Sequence, residues 1–564
     1  MGLDALGEFH LFLRVEFEHG DSMARLARTQ RVRFTLLILC AAPRASIFAQ
    51  HEGHSASPID SSATRFGSVS FANSGAASAQ PAFLRGLALL HNFQYEGAAS
   101  AFRDAQQRDP GFAMAYWGEA MTYNHGIWRA QDSVKARAVL MRLGKTPADR
   151  LAKAKTPREK DYLRTLDVLY FGPGTKNGRD SAYAVETGRL AARYADDVDG
   201  QLFYSLALLS LIPRTDSTYL RAAKLAERVM RDHPTHPGAL HYVIHGYDDP
   251  AHANQGLAAA RAYSKVAPDA PHAQHMTSHI FVALGMWDDV VAANEVAIGM
   301  VAKTSGPSVA PAAACGHAGL WLHYAYLQQG RLAEARRLSS ACHDRTATSM
   351  DAASGYAEMR LQYLVDVERP EPSLTPLVSK LSGMIDLTQS YATAYDNLRR
   401  GDTSTTNALI ARMHTQAAAM KGSEMAMMMP EMVGEANVVE TELRAMADAR
   451  RGKLGDAITE LTRAAGQEDS LPYEFGPPPI EKPSHELLGE MLLAAGRPSD
   501  ARREFEIALK RTPGRSLVLL DLARACAAMG DKPAATSAFR QLATNWKNAD
   551  STVAAVREAR AGAK

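Results

Sequence analysis

"KPSHELLGEMLLAAGRPSDARREFEIALKRTPGR", residues 482–515, reads as two amphipathic helices joined by a sharp turn. Leu488 and Leu492 recur at helical spacing in the first half, and Ala501, Phe505 and Ala508 do so in the second. Gly496 supplies the turn and Pro513 the exit, each where a helix has to stop. Gly489, Ala501 and Ala508 put small side chains where two such helices would cross. The pattern continues in phase with Ala523, Gly530, Ala535 and Phe539, and upstream with Gly452, Ala457, Leu461 and Ala464. A fixed period of this length signals stacked supersecondary units in place of one conventional core.

A 34-residue helix-turn-helix unit with these small and large positions resembles the tetratricopeptide repeat (TPR), here of a secreted bacterial type. Nearer the N-terminus Gly86, Ala98, Phe102, Ala105 and Pro110 match the same ruler. Between the two ends the match is partial: Ala222, Ala226 and Pro234 close one unit, Gly285 with Ala297 marks another, and Gly330 with Ala335 a third. The resemblance implies an all-α solenoid of helical hairpins wound as a right-handed superhelix, with irregular hairpins in its middle. It also implies a concave groove that takes a peptide, protein or small ligand. The expected organisation is an export signal at 1–49, a flexible linker at 50–80, an N-terminal TPR-like array at 81–345, a helical region without clear phase at 346–430, and a C-terminal TPR array at 431–564.

The composition agrees with folded helix: 46% of the chain is hydrophobic, 22% charged and only 7% aromatic. A net charge of +2 with dispersed Lys and Arg gives no basic stripe, so nucleic acid is not an expected partner. At the start of the chain Arg25, Arg28, Arg31 and Arg33 precede the apolar run Phe34 to Ala42, which is too short to span a bilayer. This reads as an export signal cleaved after Ala49, with Met23 as an alternative start and a periplasmic or secreted mature protein. Lipidation at Cys40 is disfavoured because Leu39 stands where a small residue is wanted. No later stretch is apolar enough for an integral membrane segment. Cys315, Cys342 and Cys526 would remain after cleavage; Cys315 and Cys342 bracket one helix pair, which permits a disulfide, although buried small hydrophobes are the plainer reading.

The histidines carry the chemistry. His241 and His245 in "HYVIH" are four residues apart, as are His275 and His279 in "HMTSH", so each pair shares one face of a helix. The two pairs are offset by 34 residues, one repeat, which puts them at matching positions of adjacent units. His91 and His125 share the same offset, and His317 begins a later first helix. In the TPR family these positions belong to the first helix and face the groove, so the resemblance implies a groove lined by His91, His125, His241, His245, His275 and His279. Paired imidazoles chelate metals. A metal set of His241, His245, His275 and His279, with Asp248 as a further ligand or a hydrogen-bond partner beside Asp249, would hold a divalent transition metal such as Zn, Cu or Fe. Duplication of one ancestral unit would reproduce the same offset with only structural histidines, and that reading stands beside the metal one.

Catalytic signatures are sparse, and no catalytic residue is assigned. Neither histidine pair has the zincin Glu, since Tyr242 and Met276 occupy that place. "LGKT" at Leu143 to Thr146 lacks the leading glycine of a phosphate loop, Val139 standing there instead. "HEGH" at His51 and His54 offers a weak terminal site, and Met425, Met427, Met428 and Met429 read as packing ahead of a soft-metal site. Tyr116, Trp117, Tyr123 and Trp128 read as packing ahead of a substrate platform. "YEFGPPPIEKP", Tyr473 to Pro483, is too rich in proline to be helix interior and is expected as a rigid loop. The chain is thus expected to be an exported scaffold, more a binding protein than an enzyme, whose groove takes a protein, peptide or small ligand. The alternatives are a metal-binding protein or metal-dependent enzyme and an assembly factor for an envelope complex.

Overall fold

The computed structural model describes residues 65–305, 314–367, 371–377, 383–421 and 431–564. The expected export signal, His51, His54 and the methionines at 425–429 lie outside these residues. The described residues carry 25 α-helices and one two-residue β-bridge, Asn124–His125 with Ala130–Gln131. Consecutive helices pack against one another along the chain, and alternate helices touch at several points, for example Val198–Leu209 with Pro237–Gly246 and Pro237–Gly246 with Pro271–Ala283. This is the TPR-type solenoid of helical hairpins. No helix among the described residues is long and apolar enough to cross a membrane.

The repeat residues do what their sizes require. A Cβ on Gly489 would stand 2.5 Å from the Phe505 ring, and one on Gly86 2.9 Å from the Phe102 ring, so glycine on the first helix lets the phenylalanine of the second pack directly against it. Ala501, Phe505 and Ala508 are buried together with Leu488 and Leu492. Gly496 and Gly530 turn their hairpins at φ +72° and +79°, a conformation that disfavours any side chain.

Two expectations need correction. Residues 66–80 are not a flexible linker: Phe71 packs between Phe83, Trp117 and Tyr162, with ring centroids 5.5, 6.3 and 5.2 Å away. Phe66 is buried, and Ser74 donates through its amide and hydroxyl to the Glu159 carboxylate. The burial of these two aromatics outweighs the Ser, Ala and Gly around them. Cys315 and Cys342 form a disulfide and are not merely buried thiols, their Cα atoms being 5.5 Å apart across one hairpin. Cys526 is buried and free.

The C-terminal repeats also fold back on the middle ones. Arg515, fully buried, donates to Glu486, to Asp366 (2.7 Å) and to Tyr324 (3.2 Å). Ser516 donates its amide and hydroxyl to Gln328, and Trp287 donates to the Gly514 carbonyl. Burial pushes the Asp366 carboxyl up to about 6 even beside this guanidinium. Because the arginine neutralises two buried carboxylates, Arg515→Ala is expected to cost about 3–5 kcal/mol. Urea unfolding followed by circular dichroism checks this, and a loss under 1 kcal/mol would contradict the role given to Arg515.

Candidate metal centre

The histidines sit on two neighbouring helices, Pro237–Gly246 and Pro271–Ala283, each opened by a proline that presets the first turn. His241 and His245 are one turn apart on the first. On the second, His272, His275 and His279 follow at intervals of three and four and form a stripe along one face. Except for His272, which is half-buried, these imidazoles are 0–4% exposed.

Three rings are fixed through Nδ1. His241 Nδ1 donates to the His91 carbonyl (2.7 Å). His275 Nδ1 donates to Asn294 Oδ1 (2.7 Å), an oxygen whose identity is settled by the Asn294 amide nitrogen donating to the Val290 carbonyl. His279 Nδ1 donates to the Asp248 carboxylate. A neutral ring that donates from Nδ1 presents a lone pair at Nε2, and this is how metal-ligating histidines are oriented. His279 Nε2 stands 3.2 Å from His275 Nε2, and His241 Nε2 stands 3.3 Å from His272 Nε2. Two nitrogens on one tetrahedral ion at about 2.0–2.1 Å would lie about 3.3–3.4 Å apart.

Ligand atoms converge in overlapping sets of three, each set within 4.8 Å: His241, His245 and His272; His275, His279 and His317; and His245, Asp248 and His279. The last set joins the other two into a ladder. His245 Nε2 and Asp248 Oδ1 are buried without a protein partner, at about 1–3 kcal/mol for each such group left unsatisfied. Burial lowers the His241 pKa to about 3, and burial with the neighbouring His241 and His279 holds His245 well below its ordinary value, so both are neutral and ready to ligate.

Aromatic groups close the ladder on one side. Trp321 packs on His279 (4.2 Å between centroids) and His275 (5.1 Å), and Phe475 on His279 (5.3 Å) and His245 (6.2 Å). Phe475 belongs to the proline-rich loop before the best repeat, which is non-helical as expected. Arg214 holds that loop, its guanidinium over the Tyr473 and Phe475 rings while it donates to the Asp248 carbonyl (3.0 Å). Nearby, Arg129 pairs with Glu431 and reaches Glu474. Burial, with Glu474 and Glu431 alongside, pushes the Glu435 carboxyl up to about 7.

Of the residues singled out in the sequence, His241, His245, His275, His279 and Asp248 come together. His91 and His125 do not join them as ligands. His91 ends the helix Gln80–His91 fully buried, bonded to Tyr242 and Asp199, and only its carbonyl touches the ladder. His125 lies beyond its helix, which stops at Met121; its ring stacks on Tyr95 at 3.9 Å and bonds the Thr122 carbonyl. Asp249 caps the following turn through His252. His272 was not among the residues singled out, although "HAQHMTSH" contains the whole stripe, and His317 was placed only at the start of a later first helix. Trp117 is core packing, whereas Trp128 stands at the ladder's edge against His272.

The chain matches no protein-family model and no curated protein. Among solved structures it is similar to the Cut9 and Hcn1 hetero-tetramer of APC/C (11% identity over 86% of this chain and 96% of that one, TM-score 0.30). It is also similar to a human IFIT1 dimer with m7Gppp-AAAA (12%, 85% and 91%, TM-score 0.32) and to yeast Tom70 (11%, 86% and 89%, TM-score 0.28).

Two outcomes test this geometry. Gly476 has φ +100°, and a Cβ there would lie 2.5 Å from the Trp321 ring, so Gly476→Ala is expected to lower the melting temperature and to increase acrylamide quenching of tryptophan fluorescence. The raised Glu435 carboxyl keeps a proton in the folded chain that the unfolded chain gives up near its ordinary 4.5, so it costs stability increasingly as pH rises from 4.5 towards 7. Glu435→Gln should therefore melt above wild type at pH 8 and level with it near pH 4; a gap independent of pH would refute the assignment.

Proposed function

We propose that this chain is an exported metal-binding repeat protein that holds transition-metal ions in two adjoining three-histidine sites. The first site uses His241, His245 and His272, and the second His275, His279 and His317. The observation that carries the reading is the contact between His275 and His279. Both rings are anchored through Nδ1 on an oxygen, and their Nε2 atoms stand 3.2 Å apart in a buried place, close to the spacing of two nitrogens on one tetrahedral ion.

Imidazole-only donors suit Zn, Cu and Fe and disfavour Mg and Ca, which prefer oxygen. Three protein nitrogens leave a fourth position open on a tetrahedral ion, so the bound metal can exchange or bind a further ligand. Asp248 fixes the His279 tautomer with one oxygen and offers the other to the space between the sites. The disulfide beside His317 supports an oxidising compartment, in keeping with the export reading. A second reading, a groove for an extended peptide, is favoured by one observation: the chain's own Tyr473–Phe475–Gly476 segment already lies on the side chains of first helices.

Elemental analysis of untagged protein prepared without chelators, beside a His275→Ala/His279→Ala variant, tests the metal reading. Wild type should carry about one ion per three-histidine site, and the folded variant should lose that of the second site. Equal metal content in the two proteins, or none in wild type after incubation with Zn, would leave the peptide groove as the function.

A further inference from the structure

Behind the ladder lies another buried group with different donors. His91 closes the helix Gln80–His91, Asp199 lies in the first turn of Val198–Leu209, and His236 immediately precedes Pro237–Gly246. Three elements far apart in sequence thus bring two imidazoles and a carboxylate to one point, all 0–3% exposed. His91 Nε2 lies 2.8 Å from Asp199 Oδ1, His236 Nε2 lies 3.6 Å from the same oxygen, and the three ligand atoms fall within 4.8 Å.

Hydrogen bonding within the protein satisfies only part of this group. His91 is bonded at both nitrogens, to Tyr242 and to Asp199. His236 has neither ring nitrogen bonded, and Asp199 Oδ2 has no partner. A separation of 3.6 Å is too long for a hydrogen bond. It suits two ligands on either side of one ion. An unsatisfied His236 nitrogen and an unsatisfied carboxylate oxygen on its buried neighbour Asp199 are a cost that a fold keeps only where something fills the gap.

We propose that His91, Asp199 and His236 form a third, structural metal site of two imidazoles and one carboxylate, distinct from the ladder in ligands and chemistry. Its donor set suits Zn or Fe(II). In the bound form His91 Nδ1–H donates to the Tyr242 hydroxyl oxygen and Nε2 turns its lone pair to the ion, the anchored-imidazole arrangement found along the ladder. Enclosure on all sides gives a site that ties elements together: the ion joins the first helix to two later hairpins. It also fixes the His91 carbonyl, on which the His241 ring depends.

The test starts from the His241→Ala/His245→Ala/His275→Ala/His279→Ala variant, which removes the ladder. Loaded with Zn, dialysed and analysed for metal, it should keep one ion per chain, and adding Asp199→Asn should abolish that ion while circular dichroism stays unchanged. His236→Gln is the second arm, because that ring has no hydrogen bond to lose. Retention of one ion by the quadruple variant and its loss in both combined variants is the expected result; Zn should also raise the melting temperature only where Asp199 and His236 are intact. A folded quadruple variant without metal, or one whose metal survives Asp199→Asn and His236→Gln, would overturn the third site. Failure of the ladder reading looks different, since the quadruple variant would then hold as much metal as wild type.

Discussion

Stacking at a fixed repeat is the constraint from which the rest follows. When a hairpin is succeeded by another of the same length, its first helix lies beside the next first helix, and side chains 34 residues apart become neighbours. Glycines at the crossings set how close the layers come: Gly489 accepts Phe505 as Gly86 accepts Phe102. An i, i+4 histidine pair repeated in register is then carried to within reach of its copy without any loop having to position it. The scaffold brings rigid helices to the site, and rigid helices hold ligand geometry more closely than loops do.

Close approach alone would not make a ligand set. Buried imidazoles cost desolvation and could turn either nitrogen to the outside. Here each anchor is a different group: a main-chain carbonyl for His241, an asparagine for His275 and a carboxylate for His279. The shared result is one tautomer and one direction. For His241, whose pKa burial lowers to about 3, the environment that keeps the ring neutral also leaves its nitrogen able to ligate.

How much of this was legible in the sequence depended on whether a residue obeyed the repeat. The helical hairpins, the two HxxxH pairs and Asp248 were legible, because they rest on periodicity and adjacency. His91 and His125 obeyed the offset without joining the ladder: the helix before His125 ends early, ahead of a β-bridge, and the His91 ring is bonded to Tyr242 and Asp199 behind it. His317 and Phe475 broke the offset and were reached only by packing. Asp199 and His236 carry no motif at all, since they meet His91, more than a hundred residues earlier in the chain, only once the fold is made. Phe66 and Phe71 stand in a stretch whose composition resembles a linker, and their burial together with the Ser74 bonds to Glu159 holds it against the repeats.

The closure of the solenoid explains why the proline-rich loop lies where it does. Arg515 and Ser516 bind the C-terminal repeats to Asp366 and Gln328, which places the chain just before those repeats across the first helices of the middle hairpins. Consecutive prolines keep that segment extended, so Phe475 reaches His245 and His279 while Gly476 passes flat against Trp321. One side of the ladder is thereby sealed by apolar rings, and the half-buried His272 and His317 stand at its margin. A salt-bridge network thus acts on the histidine ladder at a distance: by fixing where the C-terminal array sits, it fixes which side of the histidines the proline-rich loop covers.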